Sequence, residues 1–291
     1  MAKTVIVNAT KRQISQKRSD FIFECIVTVF GTLLLAMSYL SMYSMLVLSL
    51  KGQAQIYQDF WGLPNPVRWD NYDTAIIKLV PNMINTFIVV VVGTTLVTLL
   101  SMVGGYVFAR MNFPCKEFLY LLLLALMMIP GCLTLTPSYT LTKTYGIYDT
   151  WWALILPWIS GGQVWGILLC RNYMEGLPKE LFEAARIDGC TEMGAMFRIA
   201  LPLSKPILAT VVVMKMIEQY NDFIWPLMVI QSNEKQVLTV AIRAFQSETS
   251  GVTEQGVQVA GYVFATIPLF ILFLFTSRLY MEGLTSGAVK G

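Results

Sequence analysis

Five stretches of this chain run without a formal charge, and each is long enough to cross a bilayer. They lie between Glu24 and Lys51, Lys78 and Arg110, Glu117 and Lys143, Asp149 and Arg171, and Glu254 and Arg278. About 20 apolar residues rising about 1.5 Å each span the hydrocarbon core. Within that core only helices and closed barrels satisfy their own backbone. A sixth run, Pro206 to Ile230, is equally apolar at its ends but carries Lys215, Glu218 and Asp222. The expectation is an all-α integral membrane protein with six transmembrane helices. Composition agrees, since 55% of the 291 residues are hydrophobic and only 13% are charged, where soluble domains carry about 25% charge.

Basic residues stay on the cytoplasmic side of a membrane. With the N-terminus inside, fourteen of the 21 Lys and Arg fall on inner segments, six on outer ones, and Lys215 within the membrane. An N-in, C-in topology follows, and it accounts for the net charge of +3 without a nucleic-acid partner. Residues 1–20 then form a basic cytoplasmic tail, 21–282 the transmembrane domain, and 283–291 a cytoplasmic C-terminal tail. The first apolar run is longer than a signal-peptide core of about 7–15 residues and has no clear cleavage site, so it is expected to remain as the first span. The cysteines (Cys25, Cys115, Cys132, Cys170, Cys190) are scattered and odd in number. That pattern suggests neither a disulfide framework nor a zinc site, and they read as small packing residues.

The outer loop from Gly52 to about Ile77 contains "WGLPNPVRWDNYD" and is expected to be turn-rich, with interfacial aromatics. Small residues such as Gly93 and the pair Gly104-Gly105 in span two allow close helix approach in lipid. Pro130-Gly131 should kink span three, and "LPWISGGQVWG" offers a second such break in span four. Broken backbone at membrane depth needs neighbours or a water-filled cavity to satisfy it. Two facing breaks would point to a pathway, one alone to packing.

Between spans four and five lies "LPKELFEAARIDGCTEMGAMFRIALPLSKP". Pro178 suits a first helical turn, and Lys179 to Asp188 favour helix. Gly189 suits the left-handed position that stops it. Thr191 can cap a second helix with Met193, Met196, Phe197 and Ala200 on one face, which Pro202 should end. Ala184 and Ala185 form a smooth patch beside Glu183 and Arg186. Such a helix either inserts into a groove on another protein or lies on lipid, and the residue pattern leaves both open.

The pattern E-A-A-x-x-x-G followed by I-x-L-P resembles the signature loop of binding-protein-dependent ABC importer permeases. Glu183, Ala184, Ala185, Gly189, Ile199, Leu201 and Pro202 carry it here. Asp188 and the Leu177-Pro178 pair are similar to the carbohydrate-uptake, maltose-type branch. "YNDFIWPL" (Tyr220 to Leu227) resembles a motif of sugar permeases, with Tyr220 in place of Trp, and "GLTSGAVKG" (Gly283 to Gly291) resembles their C-terminal tail. The resemblance covers roughly residues 20 to 291. It implies a type I permease fold whose coupling helices, about 178–201, dock in a cleft of a cytoplasmic ATPase. Glu183, Arg186 and Asp188 would supply charged contacts, Ala184 and Ala185 a close fit, Gly189 the corner, and Leu201 and Pro202 the end of the signature. The tail would reach the same ATPase.

The chain has no G-x-x-x-x-G-K-[ST] phosphate loop and no His, so no ATP-hydrolysing site of that kind is expected. By resemblance, ATP and Mg belong to two partner ATPase subunits, and no cofactor binds here. A second homologous permease and an extracytoplasmic sugar-binding protein would complete the complex. In the sixth run Lys215, Glu218, Asp222 and Trp225 are spaced to share one face of one helix, where ionisable groups face a bundle interior or cavity. Lys215, Glu218 and Asp222 read as an intramembrane ionisable network. Asn85, Tyr220, Asn221, Asp222 and Trp225 read as pathway candidates, because amide and carboxylate groups bind hydroxyls and aromatic faces stack on sugar rings. The expected function is a permease subunit importing a sugar or oligosaccharide by alternating access. An importer for a polyol or phosphodiester solute, or an ion-coupled secondary carrier, are the alternatives.

Overall fold

The computed structural model describes residues 2–249 and 255–288, with side chains described for 21, 23–246 and 255–277. Among the described residues the chain is helical, with no strand. The helices are α1 (Ala2–Ser49), α2 (Gln53–Gln58), α3 (Asp70–Arg110), α4 (Lys116–Ala125), α5 (Gly131–Thr144), α6 (Trp152–Glu175), α7 (Lys179–Ile187), α8 (Glu192–Ala195), α9 (Leu201–Leu203), α10 (Lys205–Asn221), α11 (Ile224–Val229), α12 (Leu238–Thr249) and α13 (Gln255–Ala288). Phe23–Ser49 of α1, α3, α6 and Gln255–Ser277 of α13 are each long and apolar enough to cross a membrane. Two bent pairs reach that length only when taken together. One joins Lys116–Met128 to Gly131–Thr144 at 97°, the other Glu192–Leu203 to Lys205–Asn221 at 76°. Against the expected six spans, the described residues hold four helices of that length, or up to six if each bent pair is one span. The last three residues of the Gly283–Gly291 tail lie outside the described residues.

The centre of the fold is the pair α3 and α6, which run parallel, with Gly93 beside Trp158, Gly105 beside Cys170 and the end of α3 at the end of α6. Their backbones approach where the side chains are smallest. A Cβ on Gly105 would stand 2.3 Å from the Cβ of Cys170 and 3.0 Å from the Arg171 nitrogen. The remaining helices bury three clusters against this pair. Met102, Tyr106, Cys170, Met174, Phe182, Ala195, Met196, Ala200, Leu208 and Val211 fill one end. Val89, Leu154, Trp225, Val229 and Val240 belong to the second cluster. Ala75, Leu79, Leu238, Phe245 and Ala260 belong to the third, under α13.

The proline expectations separate by where the freed carbonyl finds a donor. At Pro130 the chain breaks: Ile129 is extended (φ −79°, ψ 116°), as residues before proline are. In span four the expected break is absent, and α6 runs through Pro157, Gly161 and Gly162 without interruption. Pro157 cannot donate to the Ala153 carbonyl, but the Trp225 indole nitrogen does, at 2.8 Å. A neighbour that satisfies the orphaned carbonyl keeps a proline helix intact.

Span five is likewise corrected. Lys215, Glu218, Asp222 and Trp225 do not share one helix, because α10 ends at Asn221 and Asp222 is extended (φ −65°, ψ 125°). The Asp222 carboxylate accepts from the Trp225 amide at 3.4 Å and so opens α11. The carbonyl that Pro226 leaves without a donor, that of Asp222, receives the Thr239 hydroxyl at 2.7 Å.

The α5–α6 turn is clasped to the segment after α11. Asp149 accepts from the amides of Gln231 (2.9 Å) and Ser232 (3.0 Å), and Lys235 donates to its carbonyl at 2.8 Å. The Ser232 hydroxyl and these amides hold the Asp149 carboxyl well below its ordinary value of 3.8. A folded-state pKa below the unfolded one stabilises above the ordinary value, and the contribution is lost as pH falls through it. Asp149 sits at φ 57°, which Asn also tolerates. Asp149→Asn is therefore expected to lower the melting temperature at pH 7, with the gap to the parent narrowing as pH falls below about 4. A gap independent of pH would rule out the charge as its cause.

Candidate functional site

The segment expected to couple to a partner forms as two short helices around a glycine corner. α7 ends in a Schellman arrangement, in which the Cys190 amide reaches the Ala185 carbonyl (2.9 Å) and the Gly189 amide the Arg186 carbonyl (3.0 Å). Gly189 takes φ +78°, the left-handed position where a side chain is strained. Thr191 caps α8, its hydroxyl accepting from the Gly194 amide at 3.1 Å.

One side chain fastens α7 to the transmembrane helices. Phe182 is buried at 4% exposure, with its ring 6.3 Å from that of Tyr106. The Arg110 guanidinium lies 4.3 Å from the Phe182 ring centre, within cation–π reach. Arg110 also donates to the carbonyls of Met174 and, at 2.7 Å, Leu177, just where α6 ends. A single arginine at the end of α3 thus gathers the end of α6 and the core face of α7.

A second bridge runs through Glu192. It accepts from the Tyr106 hydroxyl at 3.0 Å and from Arg186 at 2.9 Å. That carboxylate holds the Arg186 guanidinium above its ordinary pKa. Arg186 is therefore turned back onto α8 rather than held outward. Glu183, Ala184, Ile187, Asp188 and Gly189 remain exposed, and Ala185 is half-buried.

The second helix departs from expectation in two ways. Its buried stripe is Ala195, Met196 and Ala200, while Met193 and Phe197 are exposed. Residues Met196–Ala200 form a wide π turn, with the Leu201 amide reaching the Met196 carbonyl, and this rotates the face that packs. Pro202 does not end the helix, which continues through Leu203 and bends at Ser204. Leu201 packs against the first cluster and Pro202 is exposed.

The pathway candidates do not converge on one wall. Asn85 is buried, donating to the carbonyls of Glu234 (2.7 Å) and Gln236 (3.1 Å). Trp225 is buried on its own hydrogen bond to Ala153. Tyr220 and Asn221 do line one groove, with Thr239, Tyr262 and Thr266, although the Tyr220 hydroxyl donates to the Ala265 carbonyl at 2.7 Å. Asp222 accepts from the Trp158 indole at 2.8 Å. Lys215 pairs with Glu218 at 2.5 Å, apart from Asp222 and beyond the helix break. Sequence reasoning missed Arg110, Tyr106 and Glu192 as parts of the coupling element. Their only sequence signal is a polar residue at a helix end, and the carbonyls and rings they meet lie 64 to 86 residues away.

Residues 101–282 match the family described as "Binding-protein-dependent transport system inner membrane component". The chain is 31% identical over 277 residues to the "Probable ABC transporter permease protein YurM" of Bacillus subtilis (strain 168), covering 94% of this chain and 91% of that one. It is 36% identical over 207 residues to the "Arabinooligosaccharides transport system permease protein AraQ" of Halalkalibacterium halodurans, covering 71% and 73%. Among solved structures it superposes with a TM-score of 0.77 at 20% identity on a chain from a bacterial ABC transporter involved in the import of the acidic polysaccharide alginate. That superposition covers 90% of this chain and 97% of the other.

Proposed function

Because the chain belongs to the family of binding-protein-dependent transport system inner membrane components, multi-pass proteins of the cytoplasmic membrane, we propose that it is the permease subunit through which an ATP-driven importer passes a sugar or oligosaccharide. It has six spans in an N-in, C-in topology and works by alternating access. A second homologous permease, a pair of ATPase subunits that bind ATP and Mg, and an extracytoplasmic sugar-binding protein complete the complex. This chain is a transport subunit without its own ATPase site. The carbohydrate cargo rests on relatives such as AraQ, named for arabinooligosaccharide transport.

One observation carries the reading. α7 is fastened on its inner face by Phe182 and Arg110 to α3 and α6, while Glu183, Ala184 and Asp188 stay free on its outer face. A push on that outer face is delivered to the transmembrane pair through a buried ring and a guanidinium, without slack. The C-terminal tail reaches the same ATPase. The ion-coupled alternative loses its continuous ionisable stripe where α10 ends at Asn221.

The test is ATP-driven uptake by the assembled complex in proteoliposomes. Glu183→Lys reverses the charge offered to the ATPase, and Gly189→Asp adds a carboxylate at the exposed left-handed corner (φ +78°). Both are expected to cut uptake to below roughly a tenth, with the chain still present in the membrane, because a reversed or added charge left mispaired in a docking contact costs several kcal/mol. Normal uptake by either variant would overturn the docking assignment.

A further inference from the structure

A cavity of about 420 Å³ opens between α6 and α10, lined by Trp165, Met214, Lys215, Ile217 and Glu218. Lys215 lies ten residues into α10, and Trp165 lies ten residues from the end of α6. Each is about 15 Å from its helix end, close to half of a hydrocarbon core about 30 Å thick. The two side chains therefore meet near mid-membrane. The Lys215 stem runs beside Gly162, where an added Cβ would lie 3.5 Å from its Cδ. Its ammonium is nearly buried, 5.4 Å from the Trp165 ring centre and 2.5 Å from Glu218. The Glu218 side chain, by contrast, is 66% exposed.

An ionised carboxylate cannot face hydrocarbon at that depth without a cost of several kcal/mol. A carboxylate paired with a lysine and still open toward one side needs water or polar groups there. The cavity is also furnished for a particular guest. The Trp165 face offers an apolar platform for the C–H face of a sugar ring, and Glu218 and Lys215 offer an acceptor and a donor for its hydroxyls. Trp158 lies on the same face of α6, seven residues or about 10 Å away. It is held to Asp222 by its indole nitrogen at 2.8 Å.

Resting on the importer reading above, we propose that the α6–α10 cavity at Trp165, Lys215 and Glu218 is a water-filled subsite for a neutral oligosaccharide on the translocation path. The ring platform holds the sugar's apolar face. The Lys215–Glu218 pair exchanges its internal contact for hydroxyl groups as the sugar passes.

The test uses Glu218→Cys in the assembled complex, treated with a membrane-impermeant, charged methanethiosulfonate, with the adduct located by mass spectrometry. Labelling at position 218 is expected in at least one nucleotide state, since the reagent reaches only thiols open to water. Absence of labelling in both the ATP-bound and nucleotide-free states would show the face sealed by lipid or by another subunit, and would overturn the proposal. Uptake of radiolabelled neutral di- and trisaccharides supplies the second arm. Trp165→Ala is expected to slow it at least tenfold, with Trp165→Phe recovering most of the rate. Equal rates for Trp165→Ala and the parent would also overturn the subsite. If the parent complex takes up no sugar with ATP, the importer reading itself fails, a result separable from these because the labelling needs no transport.

Discussion

Phe182→Ala is expected to cut ATP-driven uptake more than tenfold and to expose residues 179–189 to protease in the assembled complex. α7 has nine residues, too few to persist as a helix without tertiary support. Its one buried side chain is the Phe182 ring, packed against Tyr106 and capped by the Arg110 guanidinium. Truncating a buried phenylalanine costs about 3–5 kcal/mol, more than the remaining exposed contacts of so short a helix supply. The loss is local, because the α3–α6 pair does not depend on this ring. Phe182→Leu, which keeps most of the volume, should retain most of the uptake. Arg110→Lys is expected to fall between the two, since a compact ammonium lacks the planar guanidinium face that lies over the Phe182 ring. Parent-like uptake together with unchanged protease resistance in Phe182→Ala would show that the coupling helix is held by something else.

Gly105→Ala tests the helix pair that receives the push. The new methyl would sit 2.3 Å from the Cβ of Cys170 and 3.0 Å from a backbone nitrogen of α6. Neither neighbour is the tip of a flexible side chain, so the two helices must part. Overpacking of this kind costs about 1–3 kcal/mol and more when backbone has to move, and in lipid close packing is the main force joining helices. The expected result is a melting temperature lower by roughly 5–10 °C in detergent and a several-fold lower yield of complex. Gly31→Ala is the matched control, because its added Cβ meets nothing within 4 Å. It should leave stability unchanged or slightly raised, as alanine is the better helix former. If both variants melt alike, the close approach of α3 and α6 contributes little.

Part of the coupling site is legible in the amino-acid sequence. Gly189 and Thr191 can be placed at a corner and a cap because both roles depend on backbone chemistry within a few residues. The face of α7 that is held cannot be inferred in that way. Phe182 sits at helical spacing with Ala185 and Gly189 and reads as one more apolar position until Arg110, 72 residues earlier in the chain, is folded over it. Trp225 is the sharper case. Its spacing suggests a sugar-stacking residue, yet its indole satisfies the carbonyl that Pro157 orphans, and the same bond keeps α6 straight where a break was expected.

Local physics dictates the features that could be read from residue order alone. Charge-free length sets the number of membrane-crossing segments, basic residues imply the sidedness, and glycine or threonine beside a helix marks where it turns. Packing of distant segments decided which proline breaks its helix, which ionisable residues share a cavity, and which side chain fastens α7. Each of those outcomes turns on whether a particular donor, ring or carbonyl arrives from tens of residues away. A carbonyl orphaned by proline is harmless beside Trp225 or Thr239, and only the packed helices bring those donors to it.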